Sequence, residues 1–186
     1  MIKQVIKKGL AAAQICNPAL GVKITPEAKA AILLKQAKPE MSIFVETGTE
    51  YGAMIEMVGD RFKKIYSIEY DKKLYTDACK KFSQRNDIVF IHGDSGVELT
   101  KVVALLTEPA LFWLDAHGAG KMTVKNPLHC PVEKELHAIF SHSIQGHVII
   151  IDDVRHFDRH TIGVIKSLAK KHGYTATVVD GLFVLR

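Results

Sequence analysis

The feature that most constrains the fold is a regular alternation that begins at Met41. From there, short runs rich in Ile, Val and Phe alternate with longer amphipathic segments, and several runs are apolar at successive positions, as in strands covered on both faces. Five of these runs are predicted to be strands: Ser42 to Val45, Lys64 to Ile68, Ile88 to Ile91, Ala110 to Leu114 and His147 to Ile151. Strands that alternate with helices are joined by right-handed crossovers, which predicts a doubly wound, mostly parallel α/β sheet.

The last segments of the chain break this alternation. Tyr174 to Val179 and Leu182 to Leu185 are predicted strands separated only by Asp180 and Gly181. An Asp-Gly pair between two apolar runs is a strong hairpin signal. The sequence therefore predicts a seven-stranded sheet that ends in an antiparallel hairpin.

Two helices are predicted before the sheet, at Ile2 to Ile15 and at Pro26 to Ala37. Thr25 can cap the second helix, and Pro26 suits its first position. No repeat or flexible linker interrupts the chain. We expect a single domain in which the helices of residues 1–40 pack on a domain formed by residues 41–186.

Composition narrows the class of protein. The chain has 186 residues, the length of one domain, and a net charge of +5, far below that of a dedicated nucleic-acid binder. Its three cysteines have no paired spacing, which favours a reducing compartment. No apolar run is long enough to span a membrane, and the basic N-terminus lacks a clear cleavage motif. These features predict a cytoplasmic protein without a membrane partner.

Acidic residues end the first three strands, at the edge where α/β sheets bind ligands. Glu46 precedes a turn with Gly48 and Gly52, which permit a sharp bend and a close ligand approach. Glu69 ends the second strand, where a carboxylate can accept both hydroxyls of an adenosine ribose, and Asp94 could accept from an adenine amino group. The simpler interpretations are an ordinary turn, a solvated acid near a helix N-terminus and an N-cap.

With these motifs and the terminal hairpin, residues Ser42 to Arg186 resemble the class I S-adenosylmethionine-dependent methyltransferases. In that fold, the acid that ends the second strand would bind the ribose and the acid after the third strand the adenine. The resemblance implies that Glu46, Gly48 and Gly52 line the methionine part, that Glu69 and Asp94 hold the adenosine, and that Asp115 is a further cofactor contact. One position departs from the family, because Glu50 stands where its central glycine is expected.

Three carboxylates follow the fourth and fifth strands: Asp115, Asp152 and Asp153. Neighbouring parallel strands would bring them to one edge, where they repel one another unless a cation neutralises them, and oxygen ligands suit Mg²⁺. The arrangement is similar to that of the metal-dependent small-molecule O-methyltransferases, including the macrocin type, and the resemblance implies that these residues hold Mg²⁺. The simpler interpretation is that Asp152 and Asp153 cap a helix while Asp115 contacts the cofactor.

Candidate catalytic residues are Asp115 and two histidines near it in the predicted site, His117 and His156. Histidine is the natural proton acceptor near neutral pH, and His117 is the first candidate. Residues 117–130 contain helix breakers after a central strand, which indicates a lid or an acceptor-binding loop, with simple disorder as the alternative.

The leading hypothesis is therefore methyl transfer from S-adenosylmethionine to a hydroxyl of a small molecule, with Mg²⁺ as a candidate second cofactor. A nucleic-acid or protein acceptor and a homo-oligomer stay open. The alternatives are an NAD-dependent oxidoreductase, a metallohydrolase and a non-catalytic nucleotide-binding or scaffold protein. Against the oxidoreductase, the chain lacks a Gly-x-Gly-x-x-Gly turn. Against the metallohydrolase, it has Ala119 where that family has a further Asp.

Overall fold

A mixed β-sheet forms the centre of the structure, a computed structural model that describes residues 24–116 and 131–186. In these ranges the sheet has seven strands in the order β3-β2-β1-β4-β5-β7-β6. The strands are β1 (Ile43–Thr47), β2 (Lys64–Glu69), β3 (Ile88–His92), β4 (Leu111–Leu114), β5 (Val148–Ile151), β6 (Ala176–Val179) and β7 (Leu182–Leu185). β1 to β5 are parallel to one another, and β7 runs antiparallel to both β5 and β6. The predicted doubly wound sheet with a terminal hairpin is confirmed.

Six α-helices lie in the described ranges, together with 3₁₀ turns at Gly59–Arg61 and Val154–His156. The helices are α1 (Pro26–Gln36), α2 (Ala53–Val58), α3 (Lys72–Lys81), α4 (Ser95–Val103), α5 (Val132–Phe140) and α6 (Arg159–Lys171). α1 begins as predicted, because the Thr25 hydroxyl accepts from the Ala28 amide at 3.3 Å and Pro26 takes the first position. None of these helices combines the length and the apolar content needed to cross a membrane. The predicted helix at Ile2 to Ile15 and the predicted loop at 117–130 lie outside the described residues.

The sheet is covered on both faces, as its apolar strands require. Phe112 packs in the cluster that includes residues of α4, α5 and α6, whereas the next residue, Trp113, packs in the cluster that includes residues of α1 and α2. Successive side chains of a strand point to opposite faces, so a strand buried between two layers must be apolar at every position. All four residues of β4 and all four of β5 are buried.

The terminal hairpin has the tight turn that its sequence predicts. Asp180 and Gly181 have φ angles of +46° and +86°, the conformation of a type I′ turn, which matches the twist of the strands. β7 lies between β5 and β6, with Val184 opposite Ile150 on one side and Thr177 on the other. The second strand of the hairpin is therefore the buried one, which agrees with the continuous Leu-Phe-Val-Leu sequence of β7.

Candidate functional site

The candidate site lies at the carboxyl edge of the parallel strands. The chain runs from β1 to β2 and β3 on one side of the sheet and then returns to β4 and β5 on the other, so the topology reverses between β1 and β4. Ligands of open α/β sheets bind in the crevice beside such a switch point. The acids predicted as site residues lie at the ends of these five strands: Glu46, Glu69, Asp94, Asp115, Asp152 and Asp153.

The turn after β1 packs tightly against the end of β4. Gly48 has a φ of +84°, and a Cβ atom on it would lie 2.7 Å from the carbonyl oxygen of Asp115. Its amide donates to the carbonyl of Ile68 at 2.9 Å. Because both the conformation and the space exclude a side chain, glycine is required at this position.

Glu50 stands in the turn after β1 at the position where the methyltransferase pattern has its central glycine. Its φ is +49°, in the left-handed region that residues other than glycine enter at a cost. The backbone amide of Glu50 donates to the Glu69 carboxylate at 2.9 Å. This charge-assisted bond stabilises the left-handed conformation, so the turn is formed in spite of the substitution.

Glu69 is held in a defined orientation at the end of β2. Its second carboxylate oxygen accepts from the amide of Asp71 at 2.8 Å, and the side chain is buried. Each carboxylate oxygen can accept more than one hydrogen bond, so the group keeps acceptor capacity for ligand hydroxyls. Asp71 itself caps α3, with its carboxylate accepting from the amides of Lys73 and Leu74.

Glu46 is a buried carboxyl group within a hydroxyl network. The side chain is 1% exposed and accepts from the Ser67 hydroxyl at 2.6 Å, and the Ser67 and Thr49 hydroxyl oxygens lie 2.6 Å apart. Burial raises the pKa of Glu46 to about 8, the bond from Ser67 opposes the rise, and the charge of Glu69 adds to it. The group is therefore mostly protonated at neutral pH, and a nearby cation would favour its ionised form.

Asp94 follows β3 and caps α4. Its carboxylate accepts from the amide of Gly96 at 2.9 Å, and the side chain is exposed at the edge of the site. The N-cap interpretation is confirmed. Contact with an adenine stays a prediction, because an N-cap carboxylate retains free lone pairs.

Two of the three carboxylates of the predicted metal site contact a cationic side chain of the protein. Asp152 forms an ion pair with Lys29 of α1, and Asp153 forms one with Arg155 at 2.8 Å. Burial and the charge of Asp152 raise the pKa of Asp115 to about 8, whereas Lys29 opposes the rise. Within residues 24–116 and 131–186, no group of three or more His, Cys, Asp and Glu side chains is arranged to hold a metal ion. Cationic side chains thus contact Asp152 and Asp153, and the role of the three residues as Mg²⁺ ligands stays a prediction.

Of the two candidate histidines, only His156 lies in the described residues. His117 lies outside the described residues. His156 ends the 3₁₀ turn after β5, is exposed, and accepts from the guanidinium of Arg155 at 2.9 Å. Its role as a base stays a prediction.

Two further residues of the site escape the sequence analysis. Glu135 of α5 is 0% exposed and lies beside the hydroxyls of Ser95 and Thr47. Burial raises the pKa of Glu135 to about 7, and the two hydroxyls oppose the rise. The signal is visible afterwards, since Glu135 falls on the same helical face as the buried Val132, Leu136 and Ile139. Lys29 has no comparable signal, because one lysine in a helix is ordinary.

Comparison with known proteins supports the fold. No family model and no curated protein sequence matches the chain. Precorrin-6y C5,15-methyltransferase from Geobacter metallireducens is a similar solved structure, with 14% identity, a TM-score of 0.61, and coverage of 89% of this chain and 90% of that chain. The calicheamicin methyltransferase CalS11 has 14% identity, a TM-score of 0.59, and coverage of 98% and 90%. Precorrin 8w decarboxylase from Methanobacterium thermoautotrophicum has 12% identity, a TM-score of 0.56, and coverage of 91% and 89%. The chain has the Rossmann-like methyltransferase fold, and a likeness at these identities establishes the fold alone.

Proposed function

We propose that this protein binds S-adenosylmethionine and transfers its methyl group to a hydroxyl of a small molecule. The observation that carries the proposal is the acidic edge at the switch point. Glu46 and Glu69 lie near the ends of neighbouring strands of a methyltransferase-type sheet, and Gly48 closely approaches the backbone after β4. The fold favours this class of ligand, and the acceptor groups at this edge match its polar parts.

The acidic side chains at this edge fit the cofactor in charge and as hydrogen-bond acceptors. Glu69, oriented by two backbone amides, would accept from the ribose hydroxyls, and Asp94 would accept from the adenine amino group. Glu46, Gly48, Gly52 and Asp115 would line the methionine part. A buried acid such as Glu46 favours a cationic ligand, because a positive charge beside it stabilises the ionised carboxylate.

The chain's task in this reaction is positioning and proton transfer. Bound S-adenosylmethionine supplies an activated methyl group, so the protein must chiefly hold the acceptor in line with it. Asp115, with a pKa of about 8, can exchange a proton near neutral pH, and His117 and His156 are the alternative bases. Proton transfer is assigned to these side chains, since Lys29 and Arg155 already contact two of the three predicted Mg²⁺ ligands.

Ligand binding tests this proposal directly. Titration by calorimetry with S-adenosylhomocysteine and with NAD should show micromolar affinity for the first alone. Binding of NAD alone would refute the methyltransferase assignment and favour an oxidoreductase. Release of S-adenosylhomocysteine in a screen of hydroxyl-bearing small molecules, RNA and protein then identifies the acceptor, whereas binding without turnover in any of them favours a non-catalytic protein.

The variant Glu69→Ala separates the ribose contact from general damage. We expect a loss of affinity for S-adenosylhomocysteine of at least tenfold, because both ribose hydroxyls lose a charged acceptor. Glu40→Ala is the matched control, since Glu40 is an exposed glutamate before β1. Unchanged affinity of a folded Glu69→Ala protein would remove Glu69 from the ribose role.

A further inference from the structure

The carboxylates that follow β4 and β5 lie side by side. Leu114 is the register partner of Ile151, and the amide of Asp152 donates to the carbonyl of Leu114 at 3.0 Å. Asp115 and Asp152 are the residues that directly follow these two strands. Asp152 is 2% exposed, so its charge requires a partner inside the protein.

Lys29 supplies that partner from a distant part of the chain. The Lys29 ammonium contacts one carboxylate oxygen of Asp152, and the other oxygen accepts from the amide of Asp153 at 2.6 Å. Arg155 donates to Asp153 at 2.8 Å. Both oxygens of Asp152 are therefore engaged, and two of the three carboxylates face a cation of the chain.

The position of Lys29 is set by packing. The adjacent residue Ala30 and, one turn further on, Leu33 are buried in the cluster that also contains Ile55 and Trp113. The Lys29 side chain is itself only 19% exposed. The ammonium is thus delivered by a helix anchored in the core and is not a freely moving surface group.

We propose that Lys29 occupies the place of a divalent cation at the carboxyl edge of β4 and β5, so that no metal ion binds at this site. A Mg²⁺ ion needs short contacts to carboxylate oxygens, and the oxygen of Asp152 that could provide one already binds the ammonium. An ion beside Lys29 would also meet a like charge in a poorly solvated place. The inference concerns metal exclusion and stands independently of the proposed methyl transfer.

Titration with Mn²⁺ alone, followed by the electron paramagnetic resonance signal of the free ion, tests this inference. The wild-type protein and Lys29→Arg, which keeps the cation, should bind no Mn²⁺ with a Kd below about 1 mM. Lys29→Met keeps most of the length of the side chain but leaves the carboxylates without the ammonium. It should bind one Mn²⁺ ion at least tenfold more tightly than the wild type, and the double variant Lys29→Met, Asp152→Asn should lose this gain.

Two results would overturn the proposal. One is a single Mn²⁺ bound to the wild type with a Kd below about 1 mM and lost in Asp152→Asn. The other is a folded Lys29→Met protein, checked by circular dichroism, that gains no affinity for Mn²⁺. If Lys29→Met does not fold, the titrations of the wild type and of Asp152→Asn decide. Binding of S-adenosylhomocysteine by the same samples is scored separately, so a failure of the proposed function is distinguishable from a failure of metal exclusion.

Discussion

Replacing Glu46 with Gln should stabilise this protein, and by more as the pH rises. The carboxyl group is 1% exposed, and burial raises its pKa from 4.5 to about 8. The unfolded side chain therefore releases its proton near pH 4.5, whereas the folded one keeps it until about pH 8. Between these values the folded state binds more protons, so rising pH favours unfolding. The amide introduced by Glu46→Gln would be neutral in both states and still able to accept from the Ser67 hydroxyl.

The size of the effect follows from the two pKa values. Each pH unit between them corresponds to about 1.4 kcal/mol of the free energy of unfolding. Glu46 should lower that free energy by about 2 kcal/mol at pH 6 and by about 5 kcal/mol at pH 9, relative to its contribution below pH 4.5. A domain of ordinary stability has roughly 5–15 kcal/mol in total, so the difference is readily measured.

Urea unfolding at several pH values between 5 and 9 measures this difference. Trp113, the single tryptophan, is 2% exposed in the core and provides the fluorescence signal. The difference in the free energy of unfolding between the wild type and Glu46→Gln should be smallest at pH 5 and about 4 kcal/mol larger at pH 9. Glu40→Gln, at an exposed glutamate, should follow the wild type throughout. A constant difference between the wild type and Glu46→Gln from pH 5 to pH 9 would refute the claim that Glu46 is buried in its neutral form.

Two further predictions concern the turn after β1 and helix α5. Gly48→Ala should destabilise the protein by about 3 kcal/mol, because the new Cβ meets the Asp115 carbonyl, whereas Gly163→Ala in the open middle of α6 should stabilise it by about 0.5–1 kcal/mol. Thermal unfolding checks both variants, and equal melting temperatures of Gly48→Ala and Gly163→Ala would contradict the reasoning. At pH 5, Glu135→Gln should unfold within about 1 kcal/mol of the wild type, whereas Glu135→Leu should lose about 2 kcal/mol, because the Ser95 hydroxyl loses its acceptor. Equal stability of these two variants in urea would show that the hydroxyl contacts of Glu135 do not stabilise the fold.

The local patterns predicted most of the architecture. Continuous apolar runs such as Val148–Ile151 identify strands buried on both faces, and Asp180-Gly181 identifies the hairpin through its turn conformation. The acids at strand ends were placed correctly at one edge, since parallel strands bring their carboxyl ends together. What the patterns did not predict was that β7 would lie between β5 and β6.

The candidate site was predicted less completely, because its electrostatics depend on contacts between distant residues. Glu69 was identified by its place at a strand end, but not its bond to the Glu50 amide, which holds the turn in a left-handed conformation. The three aspartates suggested a metal centre, but nothing in the sequence indicated that Lys29 would lie against Asp152. Repulsion among carboxylates can be predicted from the sequence, but the identity of the neutralising cation cannot.

The sequence by itself determined the succession of strands and helices along the chain, the turn chemistry and the acidic edge, since each arises from periodicity or from residues a few positions apart. Only the tertiary structure decided how those acids are charged. Lys29 and Asp152 are 123 residues apart and meet because α1 packs its apolar face on the sheet. Burial then keeps Glu46 neutral while an ammonium neutralises Asp152, and both effects depend on the three-dimensional surroundings of each carboxyl group.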